Sequence, residues 1–171
     1  KAMGLPVKRF VAATNSNDTV PRYLDSGAWQ PAATVATMSN AMDVAEPSTW
    51  PRVEAIAAVM GWSLDDIVGV GTSEAATSES VKALNKAGYL SEPHAAIAAL
   101  ALKQTLVGDE QGIFLATAHP AKFNEVVEGI LQIELDLPEA LSRVVPKSIL
   151  SAEIKADFDQ LKQHLFKVLT A

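Results

Sequence analysis

Cysteine is absent from the sequence. Disulfides, thiolate nucleophiles and cysteine-ligated metals are therefore excluded, and such a chain suits a reducing cytoplasm. Long apolar runs are absent too. The longest covers residues 95 to 102, far short of the ~20 residues that a membrane-spanning helix needs. Neither a membrane anchor nor a signal peptide is expected. Positive charge is scarce: 14 Lys and Arg stand against 20 Asp and Glu, a formal net charge of −6. That balance argues against nucleic acid or an anionic membrane as a partner. No Gly-x-Ser-x-Gly elbow and no Walker-type phosphate loop occurs. Gly69-Val70-Gly71 is too short for a dinucleotide-binding fingerprint and reads as a turn. The 3 histidines, His94, His119 and His164, include no pair at metal-ligand spacing on one helix.

What is present is a foldable chain of 171 residues, 49% hydrophobic and 20% charged. That length suits one domain, or one large domain with an appendage. Two short apolar runs stand out. Arg9-Phe10-Val11-Ala12-Ala13-Thr14 ends in Asn15-Ser16-Asn17-Asp18-Thr19, and Gly112-Ile113-Phe114-Leu115-Ala116-Thr117 ends in Ala118-His119-Pro120. Unbroken apolar runs read as buried parallel strands, and α/β sheets bind ligands beyond the carboxyl ends of such strands. The expected fold class is therefore α/β, with parallel-sheet strands flanked by helices and two pieces of one polar site at strand ends.

Helix signals fill the remainder. Asp18 or Thr19 caps a helix that Gly27 ends, and Trp50-Pro51-Arg52 opens one that Gly61 stops. Ser63-Leu64-Asp65-Asp66 has the form of a helix start. Thr72 or Ser73 opens a helix closed by Gly88, and Ser91-Glu92-Pro93-His94 starts another. The latter continues into residues 95 to 102, apolar on every side, so it is expected to lie buried beneath other elements. Pro120 starts a further helix, Leu137-Pro138 a short one, and residues 156 to 169 form an amphipathic tail with Phe158, Leu161, Leu165 and Leu169 on one stripe. A main part at residues 1 to 145 and a linker with tail helix at 146 to 171 are expected. Lys1-Ala2-Met3-Gly4-Leu5-Pro6 reads as the last turn of a helix, which suggests that the sequence is the C-terminal part of something longer.

The strand-end residues are neutral amides and hydroxyls, suited to hydrogen-bonding a cofactor or small polar substrate rather than to general base work. The plainer reading is that Asn15, Asn17 and Asp18 cap a turn and a helix. For His94 and His119, a structural role at a helix start is the simpler reading, and His164 reads as a solvated residue of the tail.

Four motifs, in order, carry a resemblance. Ala13-Thr14-Asn15-Ser16-Asn17-Asp18-Thr19-Val20-Pro21-Arg22, Ser39-Asn40-Ala41-Met42-Asp43-Val44, Ser91-Glu92-Pro93-His94-Ala95-Ala96 and Thr117-Ala118-His119-Pro120-Ala121-Lys122-Phe123 resemble threonine synthases. These are pyridoxal-phosphate enzymes of the tryptophan-synthase-β-like fold, fold-type II. The resemblance covers residues 1 to about 137 and continues weakly into the tail, while residues 61 to 77 depart from it in length and composition. It implies conversion of O-phosphohomoserine and water to threonine and phosphate, with pyridoxal 5′-phosphate as electron sink. It also implies that the cofactor lysine and the phosphate loop lie in an N-terminal half, the partner of this chain. No lysine here matches the cofactor-lysine motif. By the same resemblance, Thr117 hydrogen-bonds the pyridine nitrogen, Glu92 lies near the ring, and Asn15 lies on the cofactor side. Asn17, Asp18, Ser39, Asn40 and Asp43 lie near the substrate. A non-catalytic binding or regulatory module, or another fold-type II lyase, remains as an alternative.

Overall fold

In the computed structural model, which describes residues 1–169, the chain divides into two compact units, Lys1–Asp136 and Leu137–Ala171. The first unit is built on two parallel strands. β1 (Phe10–Thr14) pairs with β2 (Ile67–Gly71) in the register Phe10↔Ile67 through Thr14↔Gly71. The connection between them carries α1 (Thr19–Ser26) and α2 (Trp50–Met60). α3 (Glu74–Lys86), α4 (Pro93–Thr105) and α5 (Asn124–Leu131) follow.

Helix boundaries follow local chemistry. Gly27 and Gly61, at φ 71° and 63°, take the left-handed conformation that ends α1 and α2. Ser73 caps α3 by accepting from Ala76 N–H. Ser63 accepts from Asp65 N–H, but the element it opens is a single 3₁₀ turn, Leu64–Asp66, that leads into β2.

β2 corrects the reading of Gly69-Val70-Gly71 as a turn. These glycines lie within the strand because α1 crosses close to it. A Cβ on Gly69 would stand 2.5 Å from Pro21 Cα, and one on Gly71 would stand 3.2 Å from Asp18 Cβ. Close backbone approach, not a turn, requires glycine at position 69, and position 71 is tightly packed.

The second expected strand is also corrected. Residues 111–117 form no ladder, and Ile113 and Leu115 are 90% and 75% exposed. Among the described residues only β1 and β2 form a sheet, and neither pairs with this segment. An isolated strand leaves its backbone groups unpaired and is unstable alone. The segment is held at its start by Glu110, which binds Lys8 and Arg9 beside β1. Hydrogen bonds from Lys8, Val107 N–H and Arg9 push the Glu110 carboxyl down to about 2.

α4 packs on α3 and β1 through small residues. Ala95, Ala96, Ile97 and Ala101 are buried, and Ser80 Oγ on α3 donates to Ala96 O at 2.8 Å. The expectation of cover on all sides holds for that face only: Ala98, Ala99 and Leu100 are half-buried. Val81, Val127 and Phe123 complete the core between α3, α4 and α5. The second unit contains α6 (Glu139–Ser142) and α7 (Phe158–Leu169). The stripe Phe158, Leu161, Leu165 and Leu169 lies on α7 as expected, exposed along its length. No helix among the described residues is long and apolar enough to cross a membrane.

Candidate functional site at the carboxyl end of β1

β1 ends in a closed knot of hydrogen bonds. Asn15 Nδ2 donates to Thr37 Oγ1 at 3.0 Å, Ser39 Oγ at 2.9 Å and Asp43 Oδ1 at 3.1 Å. Its Oδ1 accepts from Asn17 N–H at 2.9 Å and Asn17 Nδ2 at 3.1 Å. Asn17 reaches the next loop, exchanging bonds with Val35 N–H at 2.8 Å and Val35 O at 2.9 Å. Asp43 closes the ring. It accepts from Thr37 N–H at 2.9 Å and Thr37 Oγ1 at 2.6 Å, and from Asn17 Nδ2 at 3.3 Å. Asn15, Asn17, Thr37 and Ser39 are buried, so these bonds satisfy groups that burial would otherwise leave costly.

The structure thus brings together Asn15, Asn17, Ser39 and Asp43 from two motifs. It holds Asp18 apart: its carboxylate accepts from Arg22 Nε at 2.8 Å, one turn along α1. Asn40 is exposed at the start of the 3₁₀ turn Asn40–Met42. Thr37 is the hub that the sequence reading missed. Glu74 was missed as well; its Oε2 accepts from Met38 N–H at 2.7 Å and ties the loop to the start of α3. The available signal was the crowding of Thr37, Ser39 and Asp43 within one loop, a spacing at which short polar side chains bond neighbouring backbone.

Glu92 sits at the N-terminus of α4, 1% exposed. Its Oε1 accepts from Ala95 N–H at 2.7 Å, and its Oε2 from His94 N–H at 2.7 Å. The His94 Nδ1 lies 2.6 Å from Oε2. Burial pushes the carboxyl up, but the bonds from the His94 ring and the two backbone amides outweigh it, and the group lies below its ordinary value. The helix dipole acts in the same direction. The His94 ring packs on Phe123 with centroids 5.0 Å apart, and its Nε2 is buried without a partner among the described residues. His119 caps its own turn through Ala121 N–H, which donates to Nδ1 at 3.1 Å. Thr117 is exposed on the open segment, with no side-chain bond to the knot. Two further hydroxyls, Thr14 Oγ1 at the end of β1 and Thr72 Oγ1 just beyond β2, are buried and unpaired among the described residues. They are donors available at the edge where α/β sheets bind ligands.

Residues 95–165 match the family model described as threonine synthase, C-terminal. A threonine synthase from Haemophilus influenzae is 54% identical over 98% of this chain. The crystal structure of the Escherichia coli threonine synthase superposes with a TM-score of 0.91 at 48% identity, covering 98% of this chain and 39% of that one. A pyridoxal-phosphate-bound threonine synthase from Brucella melitensis matches with a TM-score of 0.70 at 32% identity, over 81% of this chain and 36% of that one. A small parallel sheet flanked by helices, with its polar groups at the strand ends, makes this an α/β protein of the fold-type II class. Within that class the chain belongs to the threonine synthase family. It spans about 39% of the length of the Haemophilus relative.

Proposed function

We propose that this chain is part of a pyridoxal-phosphate-dependent threonine synthase, which converts O-phosphohomoserine and water to L-threonine and phosphate in the cytoplasm. The observation that carries the reading is the knot at the end of β1, which joins the first two motifs of the resemblance in a chain of this family. An N-terminal half supplies the cofactor lysine and the phosphate loop in this reading.

The donor set suits the cofactor. The hydroxyls of Thr14 and Thr72 are buried and unpaired at the strand ends, and Thr117 is free on the open segment. When bound, the cofactor supplies an electron sink for carbanionic character on the substrate. Thr117 would hold the pyridine nitrogen by a neutral hydroxyl, which leaves that nitrogen without a proton and moderates the sink. Glu92 keeps the start of α4 and the His94 ring in place from the buried side. Asn15, Asn17, Ser39 and Asp43 hold the loop on which Asn40 faces the substrate. Asp18 braces α1 through Arg22.

The test is phosphate release from O-phosphohomoserine by the full-length protein with and without pyridoxal phosphate. Threonine and phosphate should appear in equal amounts and only with the cofactor. A folded, cofactor-loaded protein that releases neither would overturn the reading and favour a non-catalytic module or another lyase.

A further inference from the structure

We propose that Thr37 is a positioning residue for this reaction: with Asp43 it clamps the 37–43 loop so that the Asn40 amide meets the anionic substrate. The inference rests on the reading of the chain as part of a threonine synthase.

The direction of each hydrogen bond carries the argument. An ionised carboxylate only accepts, so the 2.6 Å contact between Thr37 Oγ1 and Asp43 Oδ1 uses the Thr37 hydroxyl proton. Thr37 Oγ1 is then an acceptor in its other contacts. It receives Asn15 Nδ2 at 3.0 Å and Ser39 N–H at 3.2 Å. In the 3.0 Å contact between the two hydroxyls, Ser39 must therefore be the donor. Thr37 also grips the second carboxylate oxygen through its own N–H at 2.9 Å. One residue thus holds both oxygens of Asp43, and every hydroxyl proton of the loop is turned inward. Ser39 is 0% exposed.

The loop is also pinned beyond this clamp. Met38 N–H donates to Glu74 Oε2 at 2.7 Å. Met42 N–H donates to Ser39 O at 3.2 Å, and Asp43 N–H to Asn40 O at 3.4 Å. Asn40 lies between these fixed points. Its side chain is exposed and has no hydrogen bond among the described residues, whereas Thr37, Ser39 and Asp43 are saturated. A neutral amide donor held on a rigid turn suits the oxygens of a phosphate or carboxylate, and rigidity is what makes such a contact effective.

Steady-state kinetics of the full-length protein with O-phosphohomoserine tests this, using Thr37→Val, Thr37→Ser, Asn40→Ala and the double variant Thr37→Val/Asn40→Ala. Valine keeps the size and removes the hydroxyl. Thr37→Val and Asn40→Ala should each raise KM about tenfold, with kcat changed less and the cofactor absorption band unmoved. Thr37→Ser should stay within about threefold of wild type. In the Asn40→Ala background, Thr37→Val should add less than about twofold, because residues acting through one contact are not additive. Additive effects, or an unchanged KM in either single variant, would overturn the proposal. If Thr37→Val does not fold, Asp43→Asn with and without Asn40→Ala reads the same coupling. A wild-type protein without turnover would instead sink the reading on which the proposal rests.

Discussion

At the end of β1, side chains from Asn15 to Asp43 close on one another, whereas the 111–117 segment carrying Thr117 stays open to solvent. Both regions read in the sequence as an apolar run ending in polar residues. The first finds its partners within the chain: β2 supplies the ladder, and the loop through Asp43 supplies the polar bonds. The second has no strand beside it among the described residues, and its apolar side chains Ile113 and Leu115 stay exposed. An apolar run is a demand for cover, and the sequence of the run does not say where the cover comes from.

The largest difference between the regions should appear on removing an anchor from each. Asp43→Ala removes the acceptor of both Thr37 donors, its N–H and its hydroxyl, and one of the acceptors that Asn15 and Asn17 share with other groups. It should cost about 3 kcal/mol in denaturant unfolding, because two donors of the buried Thr37 lose a charged acceptor and the network around them is weakened. Thr117→Ala, on the open segment, should stay within about 0.5 kcal/mol. Equal losses would remove the contrast between a closed and an open site.

Gly69→Ala sharpens the picture of the floor beneath the knot. The added Cβ would stand 2.5 Å from Pro21 Cα, a backbone atom that cannot turn aside. Overpacking of that kind should cost about 2 kcal/mol. A loss near zero, measured by thermal melting, would show that α1 can shift off the sheet.

Glu92 tests the third closed element, the start of α4. Glu92→Gln should cost about 1 kcal/mol at neutral pH by weakening the cap. The carboxyl titrates below its ordinary value, so its ionised form is the stabilising one. That contribution is present above the ordinary carboxylate range and is lost as pH falls through the lowered folded-state value. Wild-type melting temperature should therefore fall on acidification more steeply than that of the glutamine variant. Parallel curves would contradict this role.

The smallest stability effect and the most selective functional one are expected at Thr117. In the full-length protein, Thr117→Val should reduce turnover several-fold, consistent with loss of one hydrogen bond worth about 1 kcal/mol, while the melting temperature holds. An unchanged rate and an unchanged cofactor spectrum would remove Thr117 from the site.

Much of the helical framework was legible. Gly27, Gly61 and Gly88, at φ 71°, 63° and 85°, close helices where the sequence says they close, and Ser73 opens α3. Such signals act within one turn of chain, so local sequence contains them whole. Asn15, Asn17, Ser39 and Asp43 were also singled out from the sequence, but not as a mutual network. Asn15 meets Thr37, Ser39 and Asp43 across 22, 24 and 28 residues, a closeness that no local pattern encodes.

The sequence by itself determined the family, through the resemblance of four motifs in order, and also the α/β class and the start and stop of most helices, because caps and apolar spacing are local and survive in any context. Only the tertiary structure decided that Gly69 and Gly71 lie in a strand, since the reason is the nearness of α1 rather than anything beside them in the chain. It alone decided that Thr37 is the hub of the strand-end knot and that 111–117 is open. Hydrogen-bond saturation and strand pairing belong to partners distant in sequence, and a buried polar group or a strand takes its meaning from what is packed against it.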